Sequence, residues 1–268
     1  MRILTIGDIV GRPGRYILSC ILSQLKEDYS VDFTIANGEN AAGGFGITYN
    51  IAKKIRSYGV DCITSGNHLW DKKEIVDVLD NIDFLLRPAN YPPMNPGKGY
   101  RIFELEDGKK IGVINLQGRA YLKTIDCPFR VGQKIVEEIQ KETNIIVIDF
   151  HAETTAEKKA FAYFVDGKVS LVFGTHTHVQ TADETILEGG TGFITDVGMT
   201  GAFDSVIGVK KQSSIDYFLK QTPQRFDAAK KDRRLNGIFV EIDDATGKTK
   251  KIERIERKIK DDDENEDN

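Results

Sequence analysis

Residues 169–178 read VSLVFGTHTH, a short apolar run followed directly by a glycine and by polar side chains. An apolar run of this kind is typical of a strand that is buried on both faces of a sheet. Similar runs occur five more times along the chain, at residues 3–6, 33–36, 62–64, 145–148 and 192–195. The six runs together predict strands that are covered on both sides by other layers.

Helical periodicity separates these predicted strands. Apolar residues that recur three and four positions apart give each intervening segment one apolar face. These residues are Ile17, Leu18, Ile21, Leu22 and Leu25, then Ile51 and Ile55, then Ile75, Val78 and Leu79, and finally Ile135 and Ile139. Strands that alternate with helices predict a layered α/β fold.

Two β-hairpins are predicted outside this alternation. Residues 100–105 and 111–115 flank an Asp-Gly dipeptide, which favours a type I′ turn. Residues 238–242 and 250–255 flank a second segment rich in turn-forming residues. Both pairs are therefore expected to be antiparallel.

Proline is concentrated in one segment of the chain. Residues 87–99 contain four of the seven prolines. Because proline fixes one backbone torsion angle, this segment is predicted to be a stiff surface loop. A lid over a binding site is a second interpretation of the same loop.

The charge balance depends on the last eight residues. The chain of 268 residues has 37 basic and 41 acidic residues, and residues 261–268 contain six of the acids and no base. The remainder is nearly neutral, which argues against a protein that binds nucleic acid through bulk charge. A hydrophobic content of 40% excludes a wholly disordered chain. We predict one domain over residues 1–260 and an acidic, disordered tail over residues 261–268.

The chain shows no signal for a membrane or for secretion. No apolar run approaches the roughly 18 residues that a membrane span requires, and the N-terminal residues lack the pattern of a signal peptide. Cys20, Cys62 and Cys127 are odd in number and show no CxxC spacing. They are predicted to be reduced thiols in a cytoplasmic protein that does not engage a membrane.

Polar side chains follow the predicted strands, at the point where each strand ends. The residues concerned are Asp8, Glu39, Asn40, Asn67, His68, His151, His176, His178 and Asp196, and they include all four histidines of the chain. In open α/β sheets, ligands bind beyond the carboxyl ends of the strands. A cluster of imidazole, carboxylate and amide groups without thiolates suits Zn, Mn, Fe or Co. The sequence therefore predicts a shared metal site at this edge.

Each of these residues also has an ordinary structural interpretation. Asp8 could cap the helix that follows it, Glu39 and Asn40 could be turn residues, and the Asn67-His68 pair could cap a helix that begins near residue 71. The histidine pair at 176 and 178 is the most specific signal, because both rings can approach one metal cluster from an extended loop. The joint placement at successive strand ends favours a shared site more strongly than any single motif.

Several motifs resemble a known superfamily. Asp8, GNH at 66–68, His151 and GTHTH at 174–178 resemble, in this order, the motifs of calcineurin-like metallophosphoesterases. The longer stretches GDIVG at 7–11, NGENAAGG at 37–44, GNHLWD at 66–71 and TDVGMTG at 195–201 resemble its YmdB-type branch, which is described as cyclic-nucleotide phosphodiesterases. The resemblance spans about residues 2–255. It implies an α/β fold, a layered α-β-β-α metallophosphoesterase-like sandwich.

One position departs from the wider superfamily. The superfamily usually begins with Asp-x-His, whereas the second residue after Asp8 is Val10. The usual bridging aspartate is replaced by Glu39, and Asn40 can supply an amide oxygen in place of the missing imidazole. This pattern agrees with the YmdB-type branch and leaves the metal identity open.

The resemblance implies two divalent or trivalent transition metal ions, with Fe and Mn favoured and Zn and Co as alternatives. The first ion would be held by Asp8, Glu39, Asn40 and His178, and the second by Glu39, Asn67, His151 and His176. A hydroxide that bridges the two ions would attack phosphorus. His68 has no ligand role in this scheme and is the expected general acid, with hydrogen bonding to a phosphoryl oxygen as the alternative.

The expected activity is hydrolysis of 2′,3′- or 3′,5′-cyclic nucleotides or a related phosphodiester. A phosphomonoesterase acting on nucleotides or phosphoproteins is a second hypothesis, and a non-catalytic regulator that senses metal and nucleotide is a third. RNA binding and homo-oligomer formation stay open.

Aromatic residues in predicted loops either stack on a base or pack beneath the loops; they are Phe45, Tyr91, Tyr121 and Phe129. Gly43, Gly44 and Gly198 are expected to permit a close backbone approach to the site, and Asp196 either orients a ligand histidine or caps a turn.

Overall fold

A computed structural model of the chain describes residues 1–260. The strands are β1 (Arg2–Ile6), β2 (Asp8–Ile9), β3 (Phe33–Asn37), β4 (Cys62–Thr64), β5 (Tyr100–Glu104), β6 (Lys110–Gln117), β7 (Ile146–His151), β8 (Leu171–Thr175), β9 (Thr185–Ile186), β10 (Gly192–Ile194), β11 (Met199–Ala202), β12 (Arg233–Ile242) and β13 (Thr249–Lys258). The α-helices are α1 (Gly11–Asp28), α2 (Tyr49–Ser57), α3 (Pro128–Ile139), α4 (Thr155–Val165) and α5 (Lys211–Lys220). All six predicted strands are present, but β7 and β8 continue into the polar residues that follow each apolar run.

The first sheet has seven strands and a branched order. Its path is β2-β11-β12-β1-β3-β4, and β13 pairs with the other edge of β12. Strand β12 is long enough to pair with β1 through residues 237–241 and with β11 through residues 233–235. Strands β1, β3 and β4 are parallel, so the polar residues that follow them lie at one edge.

The second sheet has six strands in the order β5-β6-β7-β8-β10-β9. Its four central strands, β6, β7, β8 and β10, are parallel, and the two outer strands are antiparallel to their neighbours. The register places His151 of β7 beside Thr175 of β8. The carboxyl ends of β7 and β8 therefore meet at one edge of this sheet.

Alternating side chains connect the sheets to the layers on either side. In β7, Ile146 and Ile148 pack against the helices α3 and α4, whereas Val147 packs between the two sheets. In β1, Leu4 belongs to the core that contains α1, and Ile3 belongs to the core between the sheets. Each of these side chains contributes about 1.5–3 kcal/mol on burial. The layers follow the order α-β-β-α, which confirms the fold class.

One predicted helix is wrong. The segment around Ile75 and Leu79 forms only two short 3₁₀ turns, Lys73–Ile75 and Leu79–Asn81. Both apolar side chains are nevertheless fully buried. Three apolar positions over little more than one turn cannot offset the cost of helix nucleation, so packing decides the local conformation.

Both predicted hairpins form, but the type I′ turn is wrong. Gly108 has a φ of 81°, whereas Asp107 is not among the residues with positive φ, and a type I′ turn requires both. The Gly108 N–H donates to the Leu105 carbonyl at 2.9 Å. The connection is therefore a type I turn followed by a glycine bulge, which suits the twist of the two strands.

The proline-rich loop is fixed to the body of the protein. Asn90 is fully buried, its Nδ2 donates to the Gln117 carbonyl at 2.7 Å, and its Oδ1 accepts from Gln117 N at 2.9 Å. None of its residues lines the cleft described below, so the interpretation as a lid is wrong.

The predicted disordered tail at 261–268 lies outside the described residues. Within residues 1–260, no helix has the length and apolar character needed to cross a membrane, and the three cysteines are unpaired.

Candidate metal centre

The strand ends bring the seven predicted metal ligands into one connected cluster. Asp8 lies in β2, two residues follow β3, one follows β4, His151 ends β7, and two histidines follow β8. Hydrogen-bond or ion-pair contacts link all seven; they are Asp8, Glu39, Asn40, Asn67, His151, His176 and His178. The predicted convergence at the rim of the two sheets is therefore present.

Four of these side chains meet at one imidazole nitrogen. His151 Nε2 lies 3.0 Å from Asn67 Oδ1, 3.1 Å from His176 Nδ1 and 3.2 Å from Glu39 Oε1. The ligand atoms of Glu39, His151 and His176 all lie within 4.8 Å of one another. Two imidazoles, a carboxylate and an amide oxygen form a donor set that suits a transition metal ion.

The other three side chains form a second group next to Glu39. The Asn40 amide lies 3.2 Å from Glu39 Oε1 and 3.1 Å from His178 Nε2. Asp8 Oδ1 and Asn40 Oδ1 are buried and have no hydrogen-bond partner within residues 1–260. Buried oxygens without a partner are rare because their desolvation is costly. Both oxygens are therefore available as metal ligands, and a rotation of the Asn40 amide would exchange the nitrogen that now faces Glu39 for the oxygen.

Each ligand histidine is oriented through its second ring nitrogen. His151 Nδ1 lies 2.8 Å from Thr175 Oγ1, whose hydroxyl donates to Asp149 Oδ1 at 2.7 Å. Since that hydroxyl donates to Asp149, it accepts a hydrogen bond from His151 Nδ1–H, which makes Nε2 the nitrogen that a metal would bind. His176 Nε2 lies 3.0 Å from Glu153 Oε2. Such contacts fix the ring and its tautomer in metal sites.

His178 is oriented by a strained turn. Its Nδ1 donates to the Ile207 carbonyl at 2.8 Å. Ile207 and Gly208 both have positive φ, at 46° and 97°, and Val206 and Val209 bond to each other across them. A β-branched residue in the left-handed region is an outlier that costs about 1–3 kcal/mol. Strain of this size is usually found at functional sites.

The electrostatics of the cluster favour bound positive charge. Burial raises the pKa of Asp8 to about 7. Burial opposes ionisation of Glu39 as well, but the neighbouring His151 lowers the pKa of this carboxyl to about 2. Burial disfavours the charged form of His151, yet Glu39 raises its pKa to about 9. A proton on His151 thus balances the buried carboxylate, and a metal cation would replace that proton.

The loop that carries the two histidines is held by a buried carboxylate. Asp196 Oδ2 accepts hydrogen bonds from Thr177 N at 3.1 Å and Thr177 Oγ1 at 2.8 Å, and Lys158 Nζ lies 2.7 Å away. Thr177 stands between His176 and His178, whose φ angles are 100° and 63°. Asp196 therefore holds the loop backbone between the two histidines, and its Oδ1 accepts a hydrogen bond from Gly198 N at 2.8 Å, so it caps a turn as well.

His68 lies beside the ligands rather than among them. Its backbone N–H donates to Glu39 Oε2 at 3.1 Å, its Nδ1 lies 2.8 Å from Asp71 Oδ2, and its ring is edge-on to Phe45 with centroids 5.0 Å apart. His68 precedes the 3₁₀ turn Leu69–Asp71 and makes no side-chain capping bond to it. The N-cap of α1 is Val10 rather than Asp8, and it makes no such bond either. No α-helix begins near residue 71 in the described chain, and Asn67 Oδ1 faces His151, so the helix-capping interpretations of the Asn67-His68 pair and of Asp8 are wrong.

One glycine makes the close approach at the site, and it is not a predicted one. A Cβ on Gly66 would lie 2.2 Å from His151 Nε2 and 2.4 Å from Glu39 Oε2. Gly43 and Gly44 have open space around them but positive φ. Their role is conformational, because L-residues rarely adopt that backbone.

The site opens into a cleft of about 400 Å³. Part of its lining is polar, formed by Glu39, Asn40, His68, Glu153, His176 and His178, and most of the remaining lining is apolar. Of the four predicted aromatic residues, only Phe45 lines it. Tyr91 bonds to Gln117, Phe129 packs on Phe161, and Tyr121 is 91% exposed. Cleft residues from the segment 206–228 were not predicted, since no motif marks that segment.

The sequence matches a known family and a curated relative over nearly its whole length. The family model described as YmdB-like protein matches residues 4–255. A curated relative, the 2′,3′-cyclic-nucleotide 2′-phosphodiesterase of Bacillus subtilis, is 49% identical over 255 residues, which are 95% of this chain and 96% of that protein.

Two solved structures share the fold over nearly the full length. A hypothetical protein of Thermus thermophilus has a TM-score of 0.90 at 38% identity, covering 96% of this chain and 99% of that one. A structure described as a novel phosphatase of Mycoplasma pneumoniae has a TM-score of 0.90 at 37% identity, covering 96% and 93%. On the match of residues 4–255 and on this identity across the whole fold, the chain belongs to the YmdB-like protein family.

Proposed function

We propose that the protein is a metal-dependent phosphodiesterase that opens the phosphate ring of 2′,3′-cyclic nucleotides, with 3′,5′-cyclic nucleotides as the alternative substrate. The relative from Bacillus subtilis, a 2′,3′-cyclic-nucleotide 2′-phosphodiesterase, supports the substrate class, and one observation supports the metal-dependent chemistry. Glu39 Oε1 lies 3.2 Å from His151 Nε2 on one side and 3.2 Å from the Asn40 amide on the other. A carboxylate shared between two donor groups is the arrangement that holds two cations close together.

The two donor groups divide as the family resemblance implies. Asp8, Asn40 and His178 would hold one ion, Asn67, His151 and His176 would hold the other, and Glu39 would bridge them. Nitrogen and oxygen donors without thiolate favour Fe or Mn, with Zn or Co as alternatives. When bound, two such cations acidify water and neutralise the charge of phosphoryl oxygens.

The remaining chemistry belongs to side chains of the chain itself. A ribose oxygen leaves as a strong base and needs a proton when its bond to phosphorus breaks. His68 faces the same cleft as the ligands, and its contact with Asp71 holds the ring. Its Nε2 is then the group that donates the proton, a role typically worth about 10²–10⁴-fold in rate.

Two further predictions accompany this function. The shared apolar core between the sheets supports one metallophosphoesterase domain over residues 1–260. The unpaired cysteines are consistent with a cytoplasmic location.

The test is anaerobic purification, metal analysis and immediate assay. The substrates are 2′,3′-cyclic AMP, 3′,5′-cyclic AMP, 3′-AMP and a bis-aryl phosphodiester. We expect metal-dependent hydrolysis of the 2′,3′-cyclic ring. Hydrolysis of 3′-AMP without hydrolysis of any diester would instead identify a phosphomonoesterase. Tight nucleotide binding without turnover in Fe, Mn, Co and Zn would identify a regulatory protein.

A further inference from the structure

Beside the predicted metal ligands, the cleft has an apolar wall that the metal chemistry does not use. We call this surface the apolar wall; its side chains come from Phe45, Val206, Ile207, Val209, Tyr217, Phe218 and Phe226. Phe218 is 68% exposed and Ile207 is 50% exposed. Large apolar side chains left in water within a concave site are typical of a surface that a ligand covers.

The turn at Ile207 gives an independent reason to assign a ligand to this wall. Two residues with positive φ between paired valines form a two-residue turn of the type that strongly prefers Asn-Gly. Isoleucine is among the least suitable residues for its first position. Its half-exposed side chain gains little burial in compensation. The carbonyl could hold His178 with any residue here, so the isoleucine side chain itself needs another explanation.

The wall begins next to both parts of the reactive centre. Ile207 adjoins it through the hydrogen bond to His178, and Phe45 adjoins it through the edge contact with His68. A group bound against the wall is therefore connected to a phosphate at the predicted metal ligands by a short linker. In a cyclic nucleotide, the ribose is that linker and the base is the planar apolar group.

We propose that the apolar wall, through Ile207 and Phe218 in particular, binds the nucleobase of the substrate; this inference rests on the proposed function. Hydroxyls of Ser214 and Tyr217 are the only polar side-chain groups that this segment brings to the cleft among residues 1–260. Stacking and apolar contact tolerate every base. The protein therefore accepts all four 2′,3′-cyclic nucleotides, with values of kcat/KM that agree within about tenfold.

The experiment compares a base-bearing with a base-free cyclic phosphodiester. The substrates are 2′,3′-cyclic AMP and glycerol 1,2-cyclic phosphate, and the measured quantity is the ratio of their kcat/KM values. The variants are Ile207→Asn, which keeps the carbonyl and suits the turn, and Phe218→Ala. The matched control is Leu219→Ala, because Leu219 is 77% exposed on the same helix but does not line the cleft. Adenosine binding is measured separately by NMR titration.

Each variant should lower the ratio about tenfold and weaken adenosine binding about tenfold, because Phe218→Ala removes a stacking contact and Ile207→Asn removes an apolar contact with the base. Ile207→Asn should fold with an unchanged or higher melting temperature, so its loss would not reflect unfolding. Ratios within twofold of the parent, an equal loss in Leu219→Ala, or a change of oligomeric state in Phe218→Ala with the ratio retained would each overturn the proposal. If the parent hydrolyses neither substrate, the proposed function fails, and adenosine binding alone then decides this inference.

Discussion

Lys158 Nζ lies 2.7 Å from Asp196 Oδ2, and both side chains are almost completely buried, at 1% and 0% exposure. Lys158 belongs to α4 on the outer face of the second sheet, whereas Asp196 binds the loop that carries His176 and His178. The ion pair thus connects an outer helix to the loop of the two histidines through the interior of the protein.

Removal of Lys158 should destabilise the protein strongly. Breaking a buried ion pair by deleting one partner typically costs about 3–5 kcal/mol, because the other charge stays buried without compensation. In a chain of this size, about 2–4 °C of melting temperature is lost per kcal/mol. We expect Lys158→Met to lower the melting temperature by about 10 °C and to weaken metal retention, as measured by thermal unfolding and metal analysis.

Lys159→Met is the control for this substitution. Lys159 is the next residue, is 52% exposed and lies 3.5 Å from Asp183, and a surface pair of this kind contributes at most about 1 kcal/mol. Equal melting temperatures for the two variants would show that the buried pair does not anchor the loop.

Metal content should test the proposal that Glu39 bridges two ions. We expect about two metal equivalents in the parent, about one in Asn67→Ala and nearly none in Glu39→Ala, because only Glu39 lies between both donor groups. Glu74→Gln changes an exposed carboxylate outside the site and should keep the parental content. Metal analysis of anaerobically purified protein measures all four. Equal losses in Asn67→Ala and Glu39→Ala would argue against a bridge.

His68→Ala separates proton donation from binding. The variant should keep its metals, since the side chain is outside the ligand cluster, but hydrolyse 2′,3′-cyclic AMP about 10²–10⁴-fold more slowly. A bis(p-nitrophenyl) phosphate substrate has a much more weakly basic leaving group that needs no proton. Its hydrolysis should fall less than tenfold. A similar loss on both substrates would instead indicate that His68 binds a phosphoryl oxygen.

The sequence could predict the site where a strand delivers a ligand directly. His151 ends an apolar run, and His176 and His178 follow another, so the rule for strand ends places them together without further information. The family resemblance added the pairing of Glu39 with Asn40, which no spacing argument contains. The layered order of the fold followed from the same alternation of apolar runs.

The supporting residues could not be predicted, because their partners come from distant segments. Glu153 contacts His176 across a strand end, and Ile207 reaches His178 from a turn with no recognisable turn motif. Asp149 does carry a signal, since a charged residue inside an apolar strand run requires buried partners. The prediction of a helix around Ile75 was wrong for a different reason. Two short 3₁₀ turns bury Ile75 and Leu79 without a helix.

Asp183 should make stability depend on pH at the acidic end. Burial alone would raise its pKa, but hydrogen bonds from Thr195 and Thr181 and the charge of Lys159 reverse this and lower the pKa below its usual value. A carboxyl with a depressed pKa in the folded state stabilises the protein above its unfolded pKa of about 3.9, and that contribution disappears as pH falls through the folded pKa. Asp183→Asn should therefore melt about 2–4 °C below the parent at pH 7, for a loss of about 1 kcal/mol. The difference should shrink as pH falls through the lowered pKa of Asp183 in the folded state, because the carboxyl is then protonated in both states. Asp77→Asn, a change of an exposed carboxylate, should melt with the parent throughout. If the difference in melting temperature between Asp183→Asn and the parent stays constant as pH falls, the altered side-chain contacts and not the charge of Asp183 explain the lost stability.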